Sequence, residues 1–363
     1  MLRNLIVLFF ILLISVPVTH AQETVPADLY YLARDAQGIA QVWRLTPANA
    51  QPQALTAESV DVTDYALSPA RDRLAYIAGG NLLVSDVTGA NRQLVTPIAT
   101  QRAPNQLTIQ LSAVGSSVSW SAENTWLTFH DELGVWVVPA NASSAPRQII
   151  AHAIPATDAE IAQVCFHLNP RWSRDGSQLL ITAKVWEGLF YETVTIATGS
   201  LTQFPQLYSS DAMWTVDNQI VAWFLGGEDS QHPSLYLLNP ANPAAALVEL
   251  IPSGRWIKSA VQTLDGAIYI VRATSTNLDA QYDIVETAPA LGQPFASVTD
   301  TVGGYVVNPQ FLPQSNPPVI AGLLPATYEN YEQGGDLALL NLYTGLVTPI
   351  PTGGPVWDVQ WGR

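Results

Sequence analysis

The sequence predicts an all-β fold, a seven-bladed β-propeller of four-stranded antiparallel blades. Three observations predict it. A strand–turn–strand pattern recurs through the 363 residues at intervals of about 45–50, the spacing of propeller blades. The 26 prolines and 23 glycines are spread along the whole chain, as many short elements joined by turns require. The chain opens on a second strand that lacks a first and closes on a first strand that lacks a second, so its two ends complete one blade. Six blades is the alternative, because the unit beginning near Arg255 carries Gln262 where the others mostly carry an aromatic.

Taken in order, residues 1–21 read as a signal peptide: Arg3, an apolar run from Leu5 to Val18, then Thr19-His20-Ala21 as a cleavage site. The run is short for a membrane span, which needs roughly 20 residues, and an uncleaved anchor is the alternative. Residues 22–27 form a short linker, and residues 28–363 one propeller domain. The segment from Asp28, "DLYYLARDAQGIAQVWRLTPANAQPQALT", holds a second, third and fourth strand. Further units begin at "DYALSPARDRLAYIA" from Asp64, "SVSWSAENTWLTFHD" from Ser117 and "NPRWSRDGSQLLITA" from Asn169. They continue at "DAMWTVDNQIVAWF" from Asp211, "SAVQTLDGAIYIVR" from Ser259 and "NPQFLPQSNPPVIAG" from Asn308. The C-terminal "VWDVQWGR" supplies the missing first strand and hides two sheet edges that would otherwise invite aggregation. A single four-stranded sheet cannot bury both faces, so the units stack around an axis.

The signature P-x-W-S-x-D-G at Pro170 to Gly176 resembles the TolB-like propeller repeat family, a WD40-like repeat type. Ser68-Pro69, Asp265-Gly266, and Pro309 with Phe311 are fragments of it in other blades. The resemblance implies a β-propeller and, by analogy, periplasmic or extracellular protein binding. TolB's separate N-terminal domain has no counterpart before Asp28. The hydrolase domain of prolyl oligopeptidases has none after Arg363. The expectation is a stand-alone propeller.

Composition narrows the partners. Charged residues make up 12%, the formal charge is -15, and only two lysines occur, Lys184 and Lys258. Such an acidic protein repels phosphate backbones, which excludes nucleic acid, and membrane insertion of the mature chain is not expected. It suits a secreted or periplasmic protein, expected as a monomer. The single cysteine, Cys165, rules out an intrachain disulfide framework.

Aligned on the aromatic position, the first strands carry Leu67, Trp120, Trp172, Trp214, Gln262, Phe311 and Trp361. Three residues earlier stand Asp64, Ser117, Asn169, Asp211, Ser259, Asn308 and Asp358, all small and polar. The innermost strands run along the channel, so these seven should ring its mouth. They would either bind a ligand, cation or peptide on the axis or hydrogen-bond local backbone where the chain enters each strand. The long segments, 96–115, 151–164, 226–233, 274–282 and 325–335, all emerge on that same face. They include Glu228, Asp229, Tyr328, Glu329, Tyr331 and Glu332, acidic and aromatic residues suited to a binding surface.

Recognisable catalytic motifs are lacking. The histidines show no H-E-x-x-H spacing, and neither a G-x-S-x-G elbow nor a sialidase box occurs. Cys165 and His167, two apart in a strand, point the same way, and the thiol reads as buried rather than nucleophilic. Asn141-Ala142-Ser143 is a glycosylation sequon in a turn. No cofactor is implied, although a divalent cation would suit the acidic channel.

The expectation is therefore a non-enzymatic binding or scaffold propeller, engaging a protein or peptide partner through the long-loop face. The alternative is a propeller enzyme, lyase- or glycosidase-like, or a metal or small-ligand site in the channel. Channel carboxyls or histidines with strongly displaced pKa would mark the enzyme. A merely polar channel beneath an exposed aromatic patch would mark the binder.

Overall fold

A computed structural model of the chain describes residues 25–98, 117–153, 165–185, 188–204, 211–223, 234–243, 245, 248–252, 256–273, 282–298, 302–303, 307–312, 319–324, 334–342 and 344–362. They form seven antiparallel sheets arranged as a β-propeller, which decides between seven blades and six. Blade one joins Val356–Trp361 to Leu29–Arg34, Ala40–Thr46 and Asn49–Ala54. Its C-terminal strand runs against Leu29–Arg34, with Leu29 opposite Trp361 and Ala33 opposite Val356. The innermost strands of blades two to seven are Val62–Leu67, Val118–Trp120, Cys165–Trp172, Asp211–Trp214, Trp256–Gln262 and Val307–Phe311.

The core is divided by seam. Seven clusters of buried apolar side chains are found among the described residues, one between each pair of neighbouring blades. Strand alternation feeds two seams from one strand. In Leu29–Arg34, Leu29, Tyr31 and Ala33 face blade seven, whereas Tyr30 and Leu32 face blade two. Second and third strands are buried on both faces and read as near-continuous apolar runs, such as Arg73–Ala78. Fourth strands such as Gln93–Pro97 are half exposed.

The aromatic position has a second duty. The Trp120 indole N–H donates to the Ala66 carbonyl of the preceding blade at 3.0 Å. Trp214 does the same to Arg171 at 2.9 Å and Trp361 to Gln310 at 2.9 Å. In each case the acceptor stands one residue before the preceding blade's own aromatic position. Gln262 replaces this bond with another, accepting the Val216 N–H at 2.7 Å. That explains how a blade without the aromatic keeps its seam.

The first-to-second-strand turns are equally regular. The buried Ser68, Ser121, Ser173 and Thr215 each accept backbone N–H bonds through the hydroxyl and so close the turn. Four residues after the aromatic position, Asn124, Gly176, Asn218 and Gly266 have φ of 60°, 69°, 55° and 94°. Each donates its N–H to the carbonyl of the turn's Ser or Thr. This left-handed conformation favours Gly and Asn. In blade two the same position is Arg71, with φ 59°.

Candidate functional site

Strict alternation would put the polar ring on one strand face, but the first strands are not regular. Register shifts fall between Val62 and Asp64, Leu168 and Arg171, Ile257 and Ser259, and Val307 and Gln310. In the C-terminal strand Asp358 is skipped, with φ 53°; Asn169, also skipped, has φ 49°. Bulges re-aim side chains. Here they sit at or beside the ring residues. Asp64, Ser117, Asn169, Asp211, Ser259 and Asp358 line one axial cavity of about 670 Å³. Asn308 lies in the innermost strand of blade seven, but its side chain is outside the described residues. The loop residues Glu228, Asp229, Tyr328, Glu329, Tyr331 and Glu332 lie outside them too.

The ring residues also bind their surroundings. Asp64 Oδ2 accepts the Val118 N–H of the next blade at 2.6 Å. Ser117 Oγ lies 2.8 Å from His130 Nδ1. Asp211 Oδ1 accepts its neighbour Ala212 N–H at 2.8 Å and pairs with Arg171 at 2.8 Å. Asp64, Ser117 and Asp211 thus anchor the chain and line the cavity at the same time.

The electrostatics of the cavity are uneven. Burial raises the Asp64 carboxyl well above the usual carboxylate range, and the charge of Asp358 raises it further. Tyr65, beside the pair, is raised by burial and then by Asp358 and Asp64. Arg171 is neutralised by Asp211, whereas Arg71, which also lines the cavity, has no carboxylate partner among the described residues. Trp223 lines it as well, with a buried indole N–H that meets no acceptor among them.

A second polar cluster lies between blades three and four. Burial lowers the His152 imidazole to about 4. Its Nδ1 accepts the His167 N–H at 3.0 Å, and its Nε2 lies 2.7 Å from the Asp131 carbonyl. This is a neutral structural histidine. Cys165 Sγ lies 3.6 Å from His167 Nε2, but Glu192 approaches that same nitrogen at 3.4 Å. A catalytic triad would need the two partners on opposite ring nitrogens. Burial and Glu192 push the thiol up to about 11, so it is no nucleophile. No group of three or more His, Cys, Asp or Glu able to hold a metal ion occurs among the described residues.

Fold and cavity define a propeller with an axial polar site. No known protein family matches the sequence, and no curated protein sequence matches it. In structure the chain is similar to TolB from Acinetobacter baumannii, with TM-score 0.53 and 13% identity over 93% of this chain and 66% of that one. It is similar to a puromycin-hydrolyzing peptidase of Mycobacterium tuberculosis, with TM-score 0.60 and 11% identity over 90% and 52%. It is also similar to oligogalacturonate lyase from Vibrio parahaemolyticus, with TM-score 0.58 and 12% identity over 92% and 88%. The chain spans about half the length of the peptidase and about two thirds of TolB. At these identities the likeness is one of fold.

The expectation of a non-enzymatic binding propeller is corrected by these findings. Propellers that superpose on the chain include peptidases and lyases. The channel, moreover, is not merely polar: it holds Asp64, a carboxyl displaced upward by burial and by the charge of Asp358, the mark of the enzyme alternative. That interaction joins residues 64 and 358, two members of the ring read from the sequence, whose coupling depends on burial that the sequence does not signal.

Proposed function

We propose that this chain is an exported propeller enzyme of the TolB-like repeat type. It performs lyase- or glycosidase-like acid–base chemistry on a small polar substrate in the axial cavity. The leader-like N-terminus and the P-x-W-S-x-D-G motif support the export and the repeat type. The observation that carries the chemistry is the Asp64–Asp358 pair, in which Asp64 is held well above its ordinary pKa. Two carboxyls that share a site do not both ionise readily, so one keeps its proton where a free aspartate would lose it. Asp64 is then the general acid and Asp358 the carboxylate beside it. Ser117, Ser259 and Asn169 offer hydroxyls and an amide to orient a hydroxyl-rich ligand. A volume of about 670 Å³ lies within the range of small-molecule sites, about 300–1,000 Å³.

Carbon-13 NMR titration of the full chain tests this without a known substrate. Asp64 is expected to titrate well above an ordinary aspartate, and replacing Asp358 with Asn should bring it down. An oligosaccharide panel scored for new reducing ends and unsaturated products should then reveal turnover. Asp64→Asn should lower kcat about 100-fold or more with little change in KM. An Asp64 that titrates like a free aspartate would remove the basis of the proposal.

A further inference from the structure

Arg71 stands where its backbone is least suited to it. The same turn position is Asn124, Gly176, Asn218 and Gly266 in blades three to six, all left-handed. Gly accepts that conformation freely and Asn readily, but a long side chain does so at a penalty. Such strain persists at sites where something else depends on the residue. In blades three and five the Asn side chain explains itself. Asn124 Oδ1 accepts the Ala70 N–H at 2.8 Å and Asn218 Oδ1 the Arg174 N–H at 2.9 Å, each gripping the preceding blade's turn. Arg71 makes no comparable side-chain bond among the described residues. Arg71 instead lines the axial cavity together with Gln360 and Trp361.

The charge pattern of the cavity sharpens the point. Arg171 is compensated by Asp211 at 2.8 Å, and the other charged residues of the lining, Asp64 and Asp358, are acidic. The whole chain carries -15, so it offers an anion no general attraction. Burial presses on the Arg71 charge and lowers its pKa. A half-buried guanidinium with five N–H donors and no ion-pair partner among the described residues is matched by a planar or tetrahedral oxyanion that accepts two of those donors.

We propose that Arg71 is an oxyanion-anchoring residue, so that the ligand of the axial cavity carries a carboxylate or phosphate group. The anionic group docks at the tight-turn end of the channel, and the remainder of the ligand reaches the polar ring. This rests on the reading of the cavity as the active site and deepens it by naming the substrate class: a small, polar, acidic molecule. Arg71 supplies binding and register, and Asp64 the chemistry.

Thermal unfolding of the full chain tests this at constant ionic strength in chloride, in succinate and in inorganic phosphate. The wild type is expected to gain about 3 °C or more at saturating oxyanion. Arg71→Gly should show no such gain, while unfolding in chloride at or above the wild-type temperature because the strain is gone. Arg71→Asn, the residue of blades three and five, should behave likewise and guards against a defect peculiar to glycine. A response to succinate alone assigns a carboxylate, and a response to phosphate alone a phosphate. A wild type without an oxyanion response, or Arg71 variants that retain it, overturns the proposal. Asp64→Asn should keep the full response. An ordinary Asp64 titration thus removes the proposed chemistry and leaves the anion site standing, and a missing anion response does the reverse.

Discussion

At Asp64 two effects act in the same direction. Removal from water and the Asp358 charge both favour the protonated carboxyl, raising its pKa above the unfolded value. The stability this group contributes is fully present below the ordinary aspartate pKa, about 3.9. It is lost as pH rises through the raised native pKa. Glu58 has the opposite sign: the Arg92 guanidinium, at 2.7 Å, holds it below the usual range. Its contribution is lost as pH falls through its native pKa. Melting temperatures measured from acid to alkaline pH should therefore fall more steeply for wild type than for Asp64→Asn on the alkaline side. Parallel curves there would mean that Asp64 titrates normally. The Trp120 indole offers a second test at this scale. Trp120→Phe keeps most of the buried ring but strands the Ala66 carbonyl, and should lower stability by about 1–2 kcal/mol in denaturant titrations.

At the scale of the element, the first-to-second-strand turn repeats one arrangement with interchangeable parts. A hydroxyl closes it, a left-handed residue reverses it, and a side chain reaches back to the preceding blade. Asn218 combines the second and third tasks. Asn218→Gly should preserve the backbone and lose only the bond to Arg174, whereas Asn218→Ala should lose the bond and add left-handed strain. The alanine variant is expected to be less stable than the glycine variant by about 1 kcal/mol, read from urea midpoints. Equal midpoints would show that φ at this turn is not limiting. The bulges are the other element-level device, and they escape sequence reasoning. Alternation marks Asp64, Asn169 and Asp358 as polar positions on a strand. The skipped partners that turn these positions toward the axis depend on how two strands pair.

The whole molecule depends on closure. Leu29–Arg34 pairs with Val356–Trp361 across 322 intervening positions or more, and the C-terminal strand also seals two seams. Gln360 strengthens the second seam, accepting the Leu67 N–H at 3.2 Å and donating to the Tyr65 carbonyl at 3.0 Å. Deleting residues 356–363 exposes the Leu29–Arg34 edge and empties both seams. Amide exchange should then lose protection first in that strand and in Val62–Leu67, and the urea midpoint should drop sharply. A truncated chain that unfolds at the full-length midpoint would contradict this architecture.

The sequence by itself determined the β-propeller class, the strand that closes the ring and the small polar position ahead of each aromatic. All three are repeated local patterns, and alternation and turn chemistry act between residues close in sequence. Gln262 shows the limit of that logic, because its missing aromatic suggested a lost blade until the bond to Val216 accounted for it. Only the tertiary structure decided the character of the channel. Asp64 acquires its raised pKa from burial and from the charge of Asp358, and Arg71, in the turn of blade two, lines one cavity with Gln360 and Trp361 of blade one. These are long-range neighbours, brought together by ring closure, and both burial and Coulomb interaction depend on distance in space rather than along the chain.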